Sequence, residues 1–293
     1  MTCCSIAGKI MKKAEFWDKK EDGNIQCCLC PHYCIISDGR TGRCGVRKNT
    51  KGTLYALNYG CVSSIALDPI EKKPLYHFHP NKHILSVGTV GCNFKCDFCQ
   101  NWNISQDTHC PTQTILPSEL VEKAKTSKSF GIAYTYNEPF IWYEYVFDCS
   151  RLAQKNKIKN VLVTNGFVNQ EPLRHIIGYI DAMNIDIKSM SDEFYKKMCK
   201  ASLKPVLETA KFASKKCHVE ITNLIVTGLN DSAADFENLT DWIYDNLGPN
   251  TPLHLSRYFP CFKCERLATP IKTMNIAFSI AKKKLKNVYL GNI

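Results

Sequence analysis

The sequence predicts an α/β protein, a parallel (partial) β/α barrel preceded by a cysteine-rich N-terminal extension. Three observations carry that prediction. From Ile84 onward, short apolar runs alternate with amphipathic, helix-length stretches six or seven times, the rhythm of consecutive βα units. At 293 residues, 44% hydrophobic and 22% charged, the chain can bury a sizeable core with ordinary globular composition. Before Ile84 the rhythm is missing and cysteine, glycine and turn residues crowd together, which divides the chain into an extension over 1–83 and a barrel over 84–293. A doubly wound sheet has the same spacing and stands as the structural alternative.

Taken in order, residues 1–26 are polar and lysine-rich, a poorly ordered lead-in or a short helix. Residues 27–47, CCLCPHYCIISDGRTGRCGVR, are dense in turn formers. GTLYALNYGCVSSIALDPI alternates apolar and small polar residues, as a strand or hairpin does. ILSVGTVG from Ile84 is a buried strand ending at Cys92. Pro117 to Ser127 has Pro, Ser and an early Glu, a helix start. Strands then follow at GIAYTY, VLVTNGF, AMNIDIKSM, VEITNLIVTG, PLHLSRYF and VYLGNI. Helices are expected between them, near 140–156, 172–178, 192–200, 204–216, 233–247 and 273–286. The strand ends carry Cys92, Asn137-Glu138, Thr164-Asn165-Gly166, Asp186-Ile187-Lys188 and Asn223, where a parallel barrel places its chemistry.

The net charge of +11 invites a nucleic-acid reading, yet only seven of the 38 basic residues are Arg and the Lys are scattered. Lys282-Lys283-Lys284 with Lys286 reads as a solvated helix face. No apolar run reaches the roughly 18–20 residues of a membrane span, and the N-terminus lacks a secretory apolar core, so a soluble cytoplasmic protein is expected.

Seventeen cysteines in such a chain point to thiolate ligation of soft metals rather than to disulfides. The sharpest cluster is GCNFKCDFCQNW, with C-x3-C-x2-C at Cys92, Cys96 and Cys99. Three thiolates on one loop can hold three irons of a cubane cluster and leave the fourth open to a cofactor or substrate. Phe98 would shield that cluster with apolar bulk. Three unrelated thiols, or a zinc site completed by His109, is the competing interpretation. A second group, Cys27, Cys30, Cys34 and Cys44 with Cys28 spare, suits a closed structural zinc, a second iron–sulfur cluster, or reduced thiols without metal. Cys261-x2-Cys264 is a lone pair or a redox dithiol. Cys149, Cys199 and Cys217 fall in helical or core-like patterns as small apolar fillers. His77, His79 and His83 are expected at the surface or in packing.

The pattern C-x3-C-x-aromatic-C after a first strand resembles the defining motif of radical S-adenosylmethionine enzymes. The wider stretch YGCVSSIALDPIEKKPLYHFHPNKHILSVGTVGCNFKCDFCQNWNISQ is similar to the radical enzyme of the AmmeMemoRadiSam system, related to pyruvate formate-lyase activating enzymes. The resemblance implies a [4Fe-4S] cluster on Cys92, Cys96 and Cys99 with S-adenosylmethionine at its open iron. It implies an oxidoreductase fed by a one-electron donor such as ferredoxin or flavodoxin, with a protein among the implied substrates. Glu138, in Thr135-Tyr136-Asn137-Glu138-Pro139, corresponds to the family's acid for the methionine amino group, and Asn137 falls in the same turn. Many relatives have Gly-Gly-Glu where this chain has Tyr-Asn-Glu. Thr164-Asn165-Gly166 matches the third-strand motif, with Val163 where some activating enzymes carry Asp. Asp186 and Lys188 match the fourth-strand D-x-K, implied to meet the cofactor's carboxylate or ribose. Alternation puts Asn184, Asp186 and Lys188 on one strand face. His254, Ser256 and Arg257 are candidates for substrate contact or for barrel packing. An iron–sulfur electron-transfer protein and a zinc-binding interaction protein are the alternatives from other classes; neither gives Glu138 and Lys188 a task.

Overall fold

Residues 10–293 are described by the computed structural model of the chain. Its apolar runs pair into one eight-stranded sheet: β1 (Ser64–Pro69), β2 (His83–Gly88), β3 (Gly131–Tyr134), β4 (Lys159–Thr164), β5 (Ala182–Asp186), β6 (His218–Ile225), β7 (Leu253–Arg257) and β8 (Val288–Gly291). The strands lie side by side in chain order. β2 to β8 are all parallel, and β1 runs antiparallel along the outer edge of β2, Ser64 opposite Gly88 and Pro69 opposite His83. No ladder joins β1 to β8 among the described residues, so the barrel is partial. The sequential order excludes the doubly wound alternative, in which the order reverses at a switch point.

Each of β2 to β7 is followed by a covering helix: α1 (Pro117–Thr126), α2 (Tyr143–Lys155), α3 (Gln170–Ile176), α4 (Lys204–Ala213), α5 (Ala233–Leu247) and α6 (Ile271–Lys282), with an extra short helix at Trp102–Ser105 after β2 and at Asp192–Phe194 after β5. Such helices cover the sheet, so strand residues are buried on both faces; Ile84, Leu85, Ser86 and Val87 of β2 are all buried. Local chemistry sets the helix ends. Ser232 Oγ accepts from Asp235 N at 3.2 Å and the Asp235 carboxylate accepts from Ser232 N at 3.1 Å, a capping box at the start of α5. On α5, Phe236, Leu239 and Ile243 form the apolar stripe that faces the sheet.

The expected helix at 192–200 is a single turn, Asp192–Phe194, continuing as a π-helical turn over Tyr195–Cys199. Lys200, in the left-handed region at φ +57°, ends it. The expectation of a loose or helical lead-in is corrected for residues 10–26, while residues 1–9 lie outside the described residues. Lys12–Lys13 pairs with Thr53–Ala56, which also pairs with Arg47–Thr50; Trp17–Lys19, Ile25–Cys27 and Ile35–Ile36 make a second small sheet. What holds these short strands is burial: Ala14, Ile25, Leu29, Ile36 and Leu54 join the same apolar core as the barrel strands. Arg47 also reaches Glu144 on α2, Nη1 to Oε1 3.0 Å, each side chain only 1% exposed. Among the described residues, no helix is long and apolar enough to cross a membrane.

Candidate active site

A cavity of about 840 Å³ lies at the C-terminal ends of the parallel strands. Every residue singled out at those ends except Gly166, Ile187 and Asn223 lines it: Cys92, Cys96, Phe98 and Cys99 after β2, Asn137 and Glu138 after β3, Thr164 and Asn165 at the end of β4, Asp186 at the end of β5 and Lys188 just beyond it. Asn223 instead donates from Nδ2 to the carbonyl of Ile187 at 2.8 Å. His254 and Ser256 also line the cavity, whereas Arg257 turns aside to donate to Thr269 O.

Among the described residues, the three cysteines are the only cysteines on this wall. Cys92 and Cys96 are buried and Cys99 half-buried. Cys92 Sγ accepts from Phe94 N at 3.4 Å, and Cys99 Sγ sits 3.1 Å from Ser105 Oγ. Burial is the main cause that pushes the Cys92 and Cys99 thiols up; for Cys96 the first cause is its hydrogen bond with Cys199, burial coming second. The Cys261-x2-Cys264 turn packs on this loop. Cys261 Sγ lies 3.4 Å from Cys99 O, Lys263 N donates to Asp97 O at 3.0 Å, and Phe262 stacks on Trp102 at 5.3 Å.

Glu138 is buried and held by three donors. Its Oε1 accepts from Phe140 N at 2.9 Å and Thr164 Oγ1 at 2.8 Å, and its Oε2 from Asn165 N at 2.8 Å. Burial raises this carboxyl to about 7 despite those donors, and Asp186 adds to the rise. Asn165 Nδ2 donates to Asn93 Oδ1 at 2.9 Å, which links the acid to the residue after Cys92. Asn137 ties the same two loops together, accepting from Thr89 N at 3.2 Å and donating to Gly91 O at 2.7 Å. Lys188 Nζ lies 3.2 Å from Asp186 Oδ2 and 5.9 Å from the Phe98 ring centroid. Burial alone would lower its pKa, but Asp186 and the nearby thiols outweigh burial and the ammonium is held charged.

Other residues of this wall were not legible as a group. Asp68 Oδ2 accepts from Lys73 Nζ at 2.9 Å and Tyr136 Oη at 3.1 Å, and the ammonium stands 4.7 Å over the Tyr136 ring. Behind His254, Glu220 accepts four hydrogen bonds: from His254 at 2.6 Å, His218 at 2.9 Å, and the backbone N–H groups of Tyr76 at 3.0 Å and His77 at 2.8 Å. These partners come from distant segments, so no local spacing announces them.

The N-terminal cysteines converge on a second, much smaller cavity of about 20 Å³. Cys27, Cys30, Cys34 and Cys44 all line it, with His32, Arg43, Arg47 and Asn93. The two cysteine segments touch. His32 Nε2 donates to Asn93 O at 2.8 Å. Gly91, at φ +86°, passes so close to Cys44 that a Cβ there would lie 2.5 Å from its carbonyl oxygen. Among the described residues, no three His, Cys, Asp or Glu side chains stand at the spacing of one bound metal ion, and this holds for both cysteine groups.

Comparison with known proteins places this geometry. A family model described as the Radical SAM superfamily matches residues 86–243. An uncharacterized protein of Methanocaldococcus jannaschii is 46% identical over 288 residues, 97% of this chain and 86% of that protein. The pyruvate formate-lyase 1-activating enzyme of Escherichia coli is 28% identical over 164 residues, 53% of this chain and 66% of the enzyme. Among solved structures, a radical SAM methyltransferase from Sphaerobacter thermophilus shares the fold, with a TM-score of 0.55 at 15% identity over 73% of this chain and 67% of that one.

Proposed function

The chain belongs to the radical SAM superfamily, and on that premise we propose that it is an oxidoreductase that cleaves S-adenosylmethionine reductively and abstracts hydrogen from a substrate. The observation that carries the reading is the cavity wall, which among the described residues presents three thiols and no fourth. That donor set fits a [4Fe-4S] cluster with one iron left without a protein ligand, and the cavity has room for the cluster and a nucleoside-sized ligand. When bound, such a cluster supplies one electron to the sulfonium, whose C5′–S bond breaks to give methionine and a 5′-deoxyadenosyl radical.

The chain's own residues do the rest. Cys92, Cys96 and Cys99 release their protons to become ligands. Phe98, buried at their edge, keeps water away. Glu138 faces the ammonium of S-adenosylmethionine, and Lys188 its carboxylate, a charge-assisted pair of contacts in a poorly solvated pocket. Asp186 holds Lys188 charged and reaches the ribose. Asn137, Thr164 and Asn165 position Glu138 and the cysteine loop through the hydrogen bonds described above. The basic chain, +11 overall, suits an acidic one-electron donor of the ferredoxin or flavodoxin type. The likeness to an activating enzyme supports a protein as substrate, in an activase-like role. Cys27, Cys30, Cys34 and Cys44 form a second metal site, for zinc or a further cluster, and the protein works in the cytoplasm.

The test is anaerobic reconstitution with iron and sulfide, followed by an assay of 5′-deoxyadenosine from S-adenosylmethionine under dithionite. Product is expected from the native chain and from none of Cys92→Ala, Cys96→Ala and Cys99→Ala. A reconstituted protein holding no iron would overturn the reading.

A further inference from the structure

We infer that the small cavity ringed by Cys27, Cys30, Cys34 and Cys44 seats a single tetrahedral zinc ion and not a second iron–sulfur cluster. The inference deepens the second-site reading above and rests on it.

Size is the first argument. A cavity of about 20 Å³ is close to the ~10–15 Å³ that one water-sized sphere occupies. One ion fits it; a cubane of four irons and four sulfides does not. The contrast with the cavity of about 840 Å³ beside Cys92 lies within one molecule. Donor chemistry is the second. Four sulfurs and no carboxylate line the cavity, with Leu29, Ile36 and Ile141 closing it, which suits a thiophilic ion in a closed site and excludes calcium or magnesium. His32 also lines it, and with its Nε2–H given to Asn93 O its Nδ1 keeps a lone pair, a fifth donor beside the four sulfurs.

Backbone and charge are the third. Arg43 N donates to Cys34 Sγ at 3.5 Å. Zinc with four thiolates carries a net charge of −2, which in an apolar setting needs cations. Arg43 and Arg47 line the cavity, and Arg47, 1% exposed, has a buried Nε with no hydrogen-bond partner. An orphaned buried donor is costly unless something anionic faces it, and the thiolate-bound ion is that group. The sulfurs stand wider than an ion's first shell, as do those of Cys92, Cys96 and Cys99.

The experiment uses the full chain carrying C92A, C96A and C99A together, which removes the large-cavity thiolates, purified anaerobically and checked for native circular dichroism. Metal analysis is expected to find one zinc per chain and negligible iron. Replacing the zinc with cobalt(II) should give intense thiolate charge-transfer absorption and a tetrahedral d–d band. Adding C30S and C44S should abolish both the zinc and the cobalt spectrum. Brown protein that still holds iron and sulfide after the triple substitution would overturn zinc yet keep a second metal site. A triple variant that takes up neither zinc, cobalt nor iron would overturn the site itself.

Discussion

His32 donates from Nε2 to the carbonyl oxygen of Asn93 at 2.8 Å, joining the N-terminal cysteine loop to the residue that follows Cys92. The same ring lies 4.9 Å from that of Phe167, whose carbonyl accepts from Asn93 Nδ2 at 2.8 Å. The first cysteine of the C-x3-C-x2-C loop is thus held by a segment some sixty residues earlier.

His32→Ala removes that donor and leaves the Asn93 carbonyl short of a partner. It should destabilise the chain by about 1–3 kcal/mol in chemical denaturation. Iron retained after reconstitution should fall as well. Unchanged stability and iron content would show that the contact does nothing for the cysteine loop.

Gly91→Ala asks more of the backbone. It forces a side chain into the left-handed region and puts Cβ against the Cys44 carbonyl. A loss of at least ~2 kcal/mol is expected from those two causes together, read as a lowered melting temperature. Gly39→Ala, also left-handed but with open space around it, is the control and should cost less.

Glu138 predicts a pH dependence of definite sign. Burial raises this acid from 4.5 to about 7, so the folded chain keeps a proton that the unfolded chain has released. Stability contributed by that proton is present below about pH 4.5 and lost as pH rises through 7. Binding of an ammonium-bearing ligand favours the ionised form, so S-adenosylmethionine should bind with proton release below pH 7. Calorimetry in buffers of different ionisation enthalpy reads the release directly. Glu138→Gln should abolish it; the same release in that variant would remove Glu138 from the ammonium site.

Glu220 has the opposite sign. Although burial raises it, its hydrogen bonds to His218, His254, His77 and Tyr76 win and lower it to about 2 from 4.5. It contributes stability above about pH 4.5 that disappears as pH falls toward 2. Glu220→Ala leaves four donors without their acceptor, the buried His254 ring among them, and should cost about 3–5 kcal/mol at neutral pH, with a flatter acid limb in the denaturation profile. A loss below 1 kcal/mol would contradict the network.

Arg47→Met leaves Glu144 buried without its partner, and a loss of about 3–5 kcal/mol is expected. Glu144→Leu added to it removes the stranded charge and should recover much of that loss. A double variant no more stable than the single one would mean that the pair is not what Arg47 contributes.

The parallel sheet was legible because β2 and β4 are written in short runs of Val, Ile and Leu, and β5 to β7 recur after helix-length intervals with apolar residues at alternate positions. Cys92, Cys96 and Cys99 were legible because their ligand spacing lies within one loop, and Asp186 and Lys188 because alternation on one strand fixes their face. What stayed hidden depends on contacts across the chain. His32 reads as a loop histidine until Asn93 is beside it. His254 reads as barrel packing until Glu220 and Tyr76 arrive from two other segments. The strands of residues 12–27 have little pattern of their own, being two or three residues long and held by burial against the rest of the molecule.

Strands laid down in chain order have a consequence for synthesis. Each new strand finds its neighbour already made, so the sheet can grow from β1 outward as the chain leaves the ribosome, each parallel pairing waiting only for one helical crossover. The cavity cannot grow that way, since its wall runs from Asp68 to Asn292 and is whole only when the last strand docks. A nascent chain therefore carries the thiols of Cys92, Cys96 and Cys99 in an unfinished pocket throughout translation. Cluster delivery has to wait for β8, or guard the thiols until it arrives.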